Sequence, residues 1–353
     1  ALFQQAAGFK INIQKSSILN ISVPDDMQGL LSQRYPLQWA KDYVTYLGVR
    51  LCPSLTRTAV VNYDLLLAQT SADLSAWYNQ GLSWLGRIAA LKMVSLPRVL
   101  FVMQALPLQP PAYAIPKLQH LLESFLWGNK RPRMARTHLY LPVWDGGLGV
   151  PNLRNYYLAA QLRYMVEWHR HASEKHWCFI DQAVAGIHIW KVPWLRRRHR
   201  PWGVYSSPVL RTTMAAWDSM AISRGLTSFP SPFSPLIGNP DFTPGLTEKP
   251  FRVWLKSGCK HAGDLFTPEG LQSFEQLRSS FDLPEEERWR YVHVRHWVSH
   301  PTVRPMVGRP FTAFEKWLAH KDTDKRILSE LYKLLNTPRS PRRSMTQLGC
   351  IAQ

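Results

Sequence analysis

Apolar residues recur at helical spacing most densely over residues 83–157, and the other elements attach to either end of that stretch. Leu85, Ile88 and Leu91 form one stripe with Arg87 and Lys92 outside it, which predicts an amphipathic helix. Pro97 suits the first turn of a second helix, where Leu100, Met103 and Leu106 keep the period until Pro107, Pro110 and Pro111 end it. A third helix is expected from near Pro116. Its Leu118, Leu121, Leu122 and Phe125 follow the i, i+3, i+4, i+7 rule, and Gly128 with Asn129 marks the stop. Three such helices can close around one apolar core.

Upstream, Leu66, Leu74 and Trp77 predict a helix over 62–80 that Gly81 closes. A helical scrap at 2–7 breaks at Gly8. Residues 9–19 alternate with period two, and 44–51 are rich in β-branched and aromatic residues; both read as strands, the second carrying Gly48 where another backbone or ligand comes close. Downstream, Asn152 or Asn155 caps a helix whose Leu158, Leu162, Met165 and Val166 make one face. Prolines 230, 232, 235, 240, 244 and 250 make 227–250 a linker or irregular loop between two helical subdomains. Helices are then expected over 268–281, 285–299 and 311–336. The last carries Phe314, Trp317, Leu318, Leu328, Leu331 and Leu335, and the basic tail after Pro338 reads as disordered. The expected fold class is mainly α with a short β segment, followed by a helical bundle and a further helical, loop-rich region.

Charge changes the picture more than composition does. A chain of 353 residues with 45% hydrophobic content can bury a core and form two or three domains. Its 43 Lys and Arg against 24 Asp and Glu give +19, which favours a polyanionic partner over a small-molecule substrate. No membrane association is expected, because the longest apolar run, 99–106, is far short of a span. No signal peptide is visible, and an opening without Met is what a fragment would show. Cys52, Cys178, Cys259 and Cys350 make no metal pattern, so a reduced, intracellular protein is expected. Many of the 15 Trp stand beside Arg or Lys, which suits stacking as well as packing.

Candidate chemistry follows the charge. Lys130, Arg131, Arg133 and Arg136 make a basic loop with no acid within it, behind Trp127; it is either a solvated loop or a set of phosphate contacts, and phosphate contact is favoured. Arg196, Arg197 and Arg198, with Lys191 and Arg200, form a second acid-free cluster among Trp190, Trp194 and Trp202, a candidate RNA-contacting surface. Gly146, Gly147 and Gly149 resemble a phosphate cradle but lack GxGxxG spacing, so a tight turn is favoured. Neither His169, His171, His176 and Cys178 nor His293, His296 and His300 makes a convincing ligand set, and no metal site is expected. Asp25 and Asp26 read as a turn or helix cap, and Lys15 as a lysine at a strand end.

The blocks GFKINIQKS, YLGVRL, SWLGRIAALKMVSLPRVLFVMQALPL, LWGNKRPRMAR and GGLGVPNLRNYYLAAQLR follow one another in an order that resembles LINE-type non-LTR retrotransposon reverse transcriptases. The resemblance covers about residues 1–172 with specific motifs, and the remainder more loosely through FEKWLAHKDTDKRILSELYKLL. It implies that 1–60 ends a polymerase palm, with Lys15 as the motif D lysine and Tyr46, Leu47 and Gly48 as the motif E primer grip. It further implies a helical thumb over 61–127, with Arg87 and Lys92 on the nucleic-acid backbone, and a tryptophan-rich wrist over 128–226. The linker 227–250, a helical region 251–337 and a basic tail 338–353 complete the expected division. RNA template, DNA primer and the upstream rest of the polyprotein are the implied partners, in a cytoplasmic ribonucleoprotein and the nucleus. The family's metal-binding carboxylates are not matched here, so Mg²⁺ is expected for the full-length enzyme only, and this chain alone is expected to be inactive. A transposon relic, or a domesticated helical module that binds RNA or protein, is the alternative.

Overall fold

The computed structural model describes residues 5–6, 8, 12–34, 37–170, 174–224, 226, 231–246, 248–267, 269–300, 311–320 and 326–337, the side chains of 248–250 excepted. Among these residues 66% are helical and 6% lie in strands, so the chain is mainly α. It divides into two units, Ala1–Tyr157 and Leu158–Gln353.

In the first unit, β1 (Ser17–Leu19) pairs in parallel with β2 (Gln38–Ala40), placing Ile18 opposite Trp39. Between them runs α1 (Asp25–Arg34), with Asp25 and Asp26 in its first turn, where negative charge suits the helix dipole. The strand expected over 9–19 is realised at 17–19. Ile13–Lys15 is instead a 3₁₀ turn, because the Asn12 side chain accepts from the Lys15 N–H, and 9–11 lie outside the described residues. The strand expected over 44–51 is a hairpin of β3 (Val44–Tyr46) and β4 (Val49–Leu51). Leu47 and Gly48 at its tip both take positive φ, 47° and 83°, the requirement of a two-residue type I′ turn.

Three helices form the core of this unit. α2 (Leu55–Tyr78) buries Tyr63, Leu66 and Leu74 and packs on α3 (Trp84–Ala105) and α4 (Ala114–Trp127). Each fully buried Leu there contributes about 1.5–3 kcal/mol. The two helices expected on either side of Pro97 are one. Proline removes the N–H that would bond the Met93 carbonyl, and the ladder widens into a π turn, Leu91–Ser95, directly before it. α4 ends in a Schellman arrangement, with the Gly128 N–H on Phe125 O at 3.3 Å and the Asn129 N–H on Ser124 O at 3.0 Å. Both residues are left-handed. A short α5 (Arg136–Tyr140) follows, then the glycine turn and α6 (Leu153–Arg170), capped by the Asn152 side chain on the Asn155 N–H.

Among the described residues α3 alone has the length and hydropathy to cross a membrane, contrary to what the run 99–106 suggested, because the π turn joins two apolar segments. One face of it is core: Leu91, Val99 and Met103 are fully buried.

The described residues of the second unit form two cores. One gathers Leu162, Met165 and Val166 of α6 with residues of α7 (His176–Ala185), α9 (Pro208–Arg224), α13 (Ala313–Ala319) and α14 (Ile327–Asn336); the short α8 (Trp202–Ser206) adds Val204. The other joins Leu236, Ile237 and Phe242 to Trp254 of α10 (Glu248–Lys256), Leu277 of α11 (Phe274–Phe281) and Trp297 of α12 (Arg288–Ser299). The proline-rich stretch 231–246 is irregular, as expected, yet these apolar residues of it are core. Before α11 a hairpin of β5 (Phe266–Thr267) and β6 (Gly270–Leu271) takes the place of an earlier helix start. The single helix expected over 311–336 is α13 and α14, since His320 adopts extended backbone and ends the first. The tail after Thr337 lies outside the described residues.

Candidate nucleic-acid interface

Along α3 the residues Leu85, Ala89, Met93, Pro97, Phe101 and Ala105 are all exposed, each four positions from the next and therefore neighbours on one side of the helix. Leu85 is 66% and Met93 77% exposed, so Leu85, read from the sequence as part of the core stripe, belongs to this ridge instead. Three of the features singled out in the sequence meet the ridge at different heights.

At its start, Arg133 of the basic loop lies over the Trp84 ring, 5.6 Å from the centroid, and Trp84 packs edge-on against Trp127. The ends of the loop are fixed by a small core of Ile88, Leu126, Trp127, Leu139 and Val150. Lys130 and Arg131 are exposed and have no ion pair among the described residues. Arg136 differs. Its Nη2 and Nε donate to Glu123 Oε2 at 2.9 and 3.1 Å, and Tyr140 donates to the other oxygen of that buried carboxylate. The loop that has no acid of its own thus receives one from α4, which also holds the Arg136 guanidinium above its ordinary pKa by hydrogen bond and charge.

Midway along the ridge, exposed Lys92 brings its Nζ to 3.4 Å from where a Cβ on Gly149 would stand. The glycine turn itself is closed. The N–H groups of Gly146, Gly147 and Gly149 donate to Val143, Pro142 and Leu141 carbonyls at 3.1, 3.0 and 2.8 Å, so these amides are already used and the tight-turn reading holds. Any Cβ on Gly147 would stand 2.1 Å from Leu141 O, which is why glycine sits there. The turn displays Val143 and Trp144, the latter 82% exposed.

Toward its end, the ridge meets the β3–β4 hairpin. A Cβ on Gly48 would stand 3.5 Å from the Phe101 ring, and Tyr46 and Leu47 are 64% and 78% exposed beside it. The hairpin is held by Asn62 of α2, whose side chain bonds both the N–H and the carbonyl of Arg50 at 2.9 and 2.7 Å, and by Thr58 on the Cys52 N–H. An exposed leucine at φ 47° stores about 1–3 kcal/mol of backbone strain, a cost that tends to gather at functional turns.

The remaining candidates are not part of the ridge. Arg87 donates from Nη1 to Phe125 O at 2.7 Å and from Nε to Leu82 O at 3.3 Å, so it clasps α3 to the end of α4. Lys15 is exposed in its 3₁₀ turn. Arg196, Arg197 and Arg198 belong to the second unit, where Arg196 Nε lies 3.0 Å from Asp241 and Arg198 Nε donates to His199 at 3.0 Å. Beside them Arg200 is buried and grips both oxygens of Asp218, and buried Lys191 donates to Ile237 O at 3.1 Å. Among the described residues no group of three or more His, Cys, Asp or Glu is placed to hold a metal, and Asp25 and Asp26, exposed on the first turn of α1, do not form one.

The sequence reading missed Glu123, Asp218 and Asp241, because acids paired across the fold leave no local signal. It also missed the ridge, although its four-residue spacing is visible once the core face is known. No protein-family model matches the chain.

Proposed function

We propose that the first unit grips an RNA–DNA hybrid through phosphate contacts, as the thumb that follows the palm in a LINE-type reverse transcriptase engaged in target-primed insertion. The observation that carries this reading is the alignment of Arg133, Lys92 and the Tyr46-Leu47-Gly48 turn along one exposed helix face. From Trp84 to Phe101 that face runs about 25 Å, at ~1.5 Å per residue. At ~3.4 Å per nucleotide it matches about seven steps of one strand. Lys92, Lys130, Arg131 and Arg133 supply phosphate partners, while Leu85, Met93 and Phe101 lie against sugars and base edges. The hairpin tip takes the primer-grip role and Lys15 the motif D role by resemblance alone. Palm carboxylates and their Mg²⁺ belong to the upstream part of the polyprotein in this reading, and the second unit contributes RNA contacts.

Fluorescence anisotropy with a short labelled hybrid tests it. About four phosphate contacts predict roughly 100-fold weaker binding between 50 and 200 mM salt, whereas a change of less than about threefold would remove the phosphate clamp.

The same apolar ridge also fits the second reading, a domesticated or relic module whose helix face docks a protein. The genomic frame upstream separates the two: an open frame carrying the aspartate hairpin favours the polymerase, and an early stop favours the module.

A further inference from the structure

The second unit holds a cavity of about 270 Å³, lined among others by Trp194, Arg196, Arg197, Trp217, Ile222 and Ser234. Its walls combine two chemistries. Trp194 and Trp217 are buried and meet edge to face with centroids 5.0 Å apart, while Arg196, Arg197 and Ile222 are exposed and mark the mouth. One of these groups keeps unused capacity: the Arg197 guanidinium has no ion pair among the described residues. Its neighbours are engaged: Arg196 with Asp241, and Arg200 with both oxygens of Asp218.

A fitting ligand therefore brings a flat apolar body and a negative charge a few bonds away at the rim. The volume falls below the ~300–1,000 Å³ of pockets for drug-sized ligands, so it suits one ring system and little more. We propose that this cavity captures a single unpaired nucleobase of a single-stranded nucleic acid, with the adjoining phosphate on Arg197. The site rests on the nucleic-acid reading above but shares no residue with the ridge, so a strand held here is gripped separately from the duplex.

Calorimetric titration of the full chain with a 5′-mononucleotide, the matching nucleoside and inorganic phosphate tests the proposal, in ribo and deoxyribo series to tell which strand is taken. The mononucleotide is expected to bind at least tenfold tighter than either part. Ile222→Trp, a change at an exposed position that closes the mouth, is expected to abolish that binding, and Arg197→Glu to weaken it at least tenfold. The Ile222→Trp variant should bind the hybrid duplex within twofold of the parent. Equal binding of phosphate and mononucleotide would overturn the proposal in favour of a bare anion site, and so would unchanged nucleotide binding by Ile222→Trp. If the parent chain takes the mononucleotide but not the hybrid, the duplex reading fails and the cavity stands; the opposite result removes the cavity alone.

Discussion

Two basic runs, 130–136 and 196–200, look alike as sequence: neither contains an acid and each adjoins tryptophan. Folded, they diverge. In the first, Glu123 takes Arg136 while Lys130 and Arg131 remain without ion pairs among the described residues and Arg133 rests on Trp84. In the second, Asp241 takes Arg196 and Asp218 takes Arg200, while Arg198 only donates to the neighbouring His199 ring, which carries no negative charge. A run of like charge in sequence therefore says little about the charge a surface offers, because distant elements decide which cations are already matched. The first run leaves Lys130 and Arg131 exposed and without ion pairs among the described residues; the second uses Arg196 and Arg200 within its own fold.

The largest effect should come from breaking that internal use. Asp218→Ala leaves the Arg200 side chain, 4% exposed, without its carboxylate and should cost about 3–5 kcal/mol in urea unfolding. Asp42→Ala frees Arg57 from a pair in which both side chains are more than half exposed and should cost less than about 1 kcal/mol. Equal losses would erase the contrast.

A smaller effect depends on pH. His169 packs against Trp194 and Phe233, and burial, helped by the charges of His261 and Arg170, pushes its pKa down to about 3. Below about pH 6.5 the unfolded chain binds a proton that the folded one refuses, so stability falls as pH drops from there toward 3. Between pH 7 and 5 the second unit should lose about 2 kcal/mol on this account, and His169→Phe should flatten that slope in thermal unfolding. No such dependence is expected from the loop 130–136. Glu123→Gln, which weakens the hold on Arg136 and Tyr140, should lower stability by about 1 kcal/mol, less than the pH effect.

Signals that act within one helical turn are legible in the sequence. The stop at Gly128 and Asn129, the cap at Asn152 and the buried face of Leu162, Met165 and Val166 all stand where periodicity and capping put them. Pro97 shows where local rules stop: it marks a helix start in sequence, but packing against α2 and α4 keeps the helix running through a π turn. Leu85 shows a second limit, since periodicity finds a stripe without saying whether core or solvent faces it. For the candidate site, the cations of 130–133 are readable as composition. Their alignment with Lys92 and the hairpin tip is not, because it depends on Gly48 meeting Phe101 and on Lys92 meeting Gly149 across the fold.

The contrast between the two runs comes down to whether the loop 130–133 is free to bind phosphate while Arg196 and Arg200 are held by the fold. The slope of log Kd against log salt for a short RNA–DNA hybrid measures this directly. Replacing Lys130, Arg131 and Arg133 together by Ala should make the slope shallower by about 2 to 3, and replacing Arg196 by Ala should change it by less than about 1. An unchanged slope in the triple variant, or an equal change in the single one, would contradict the account.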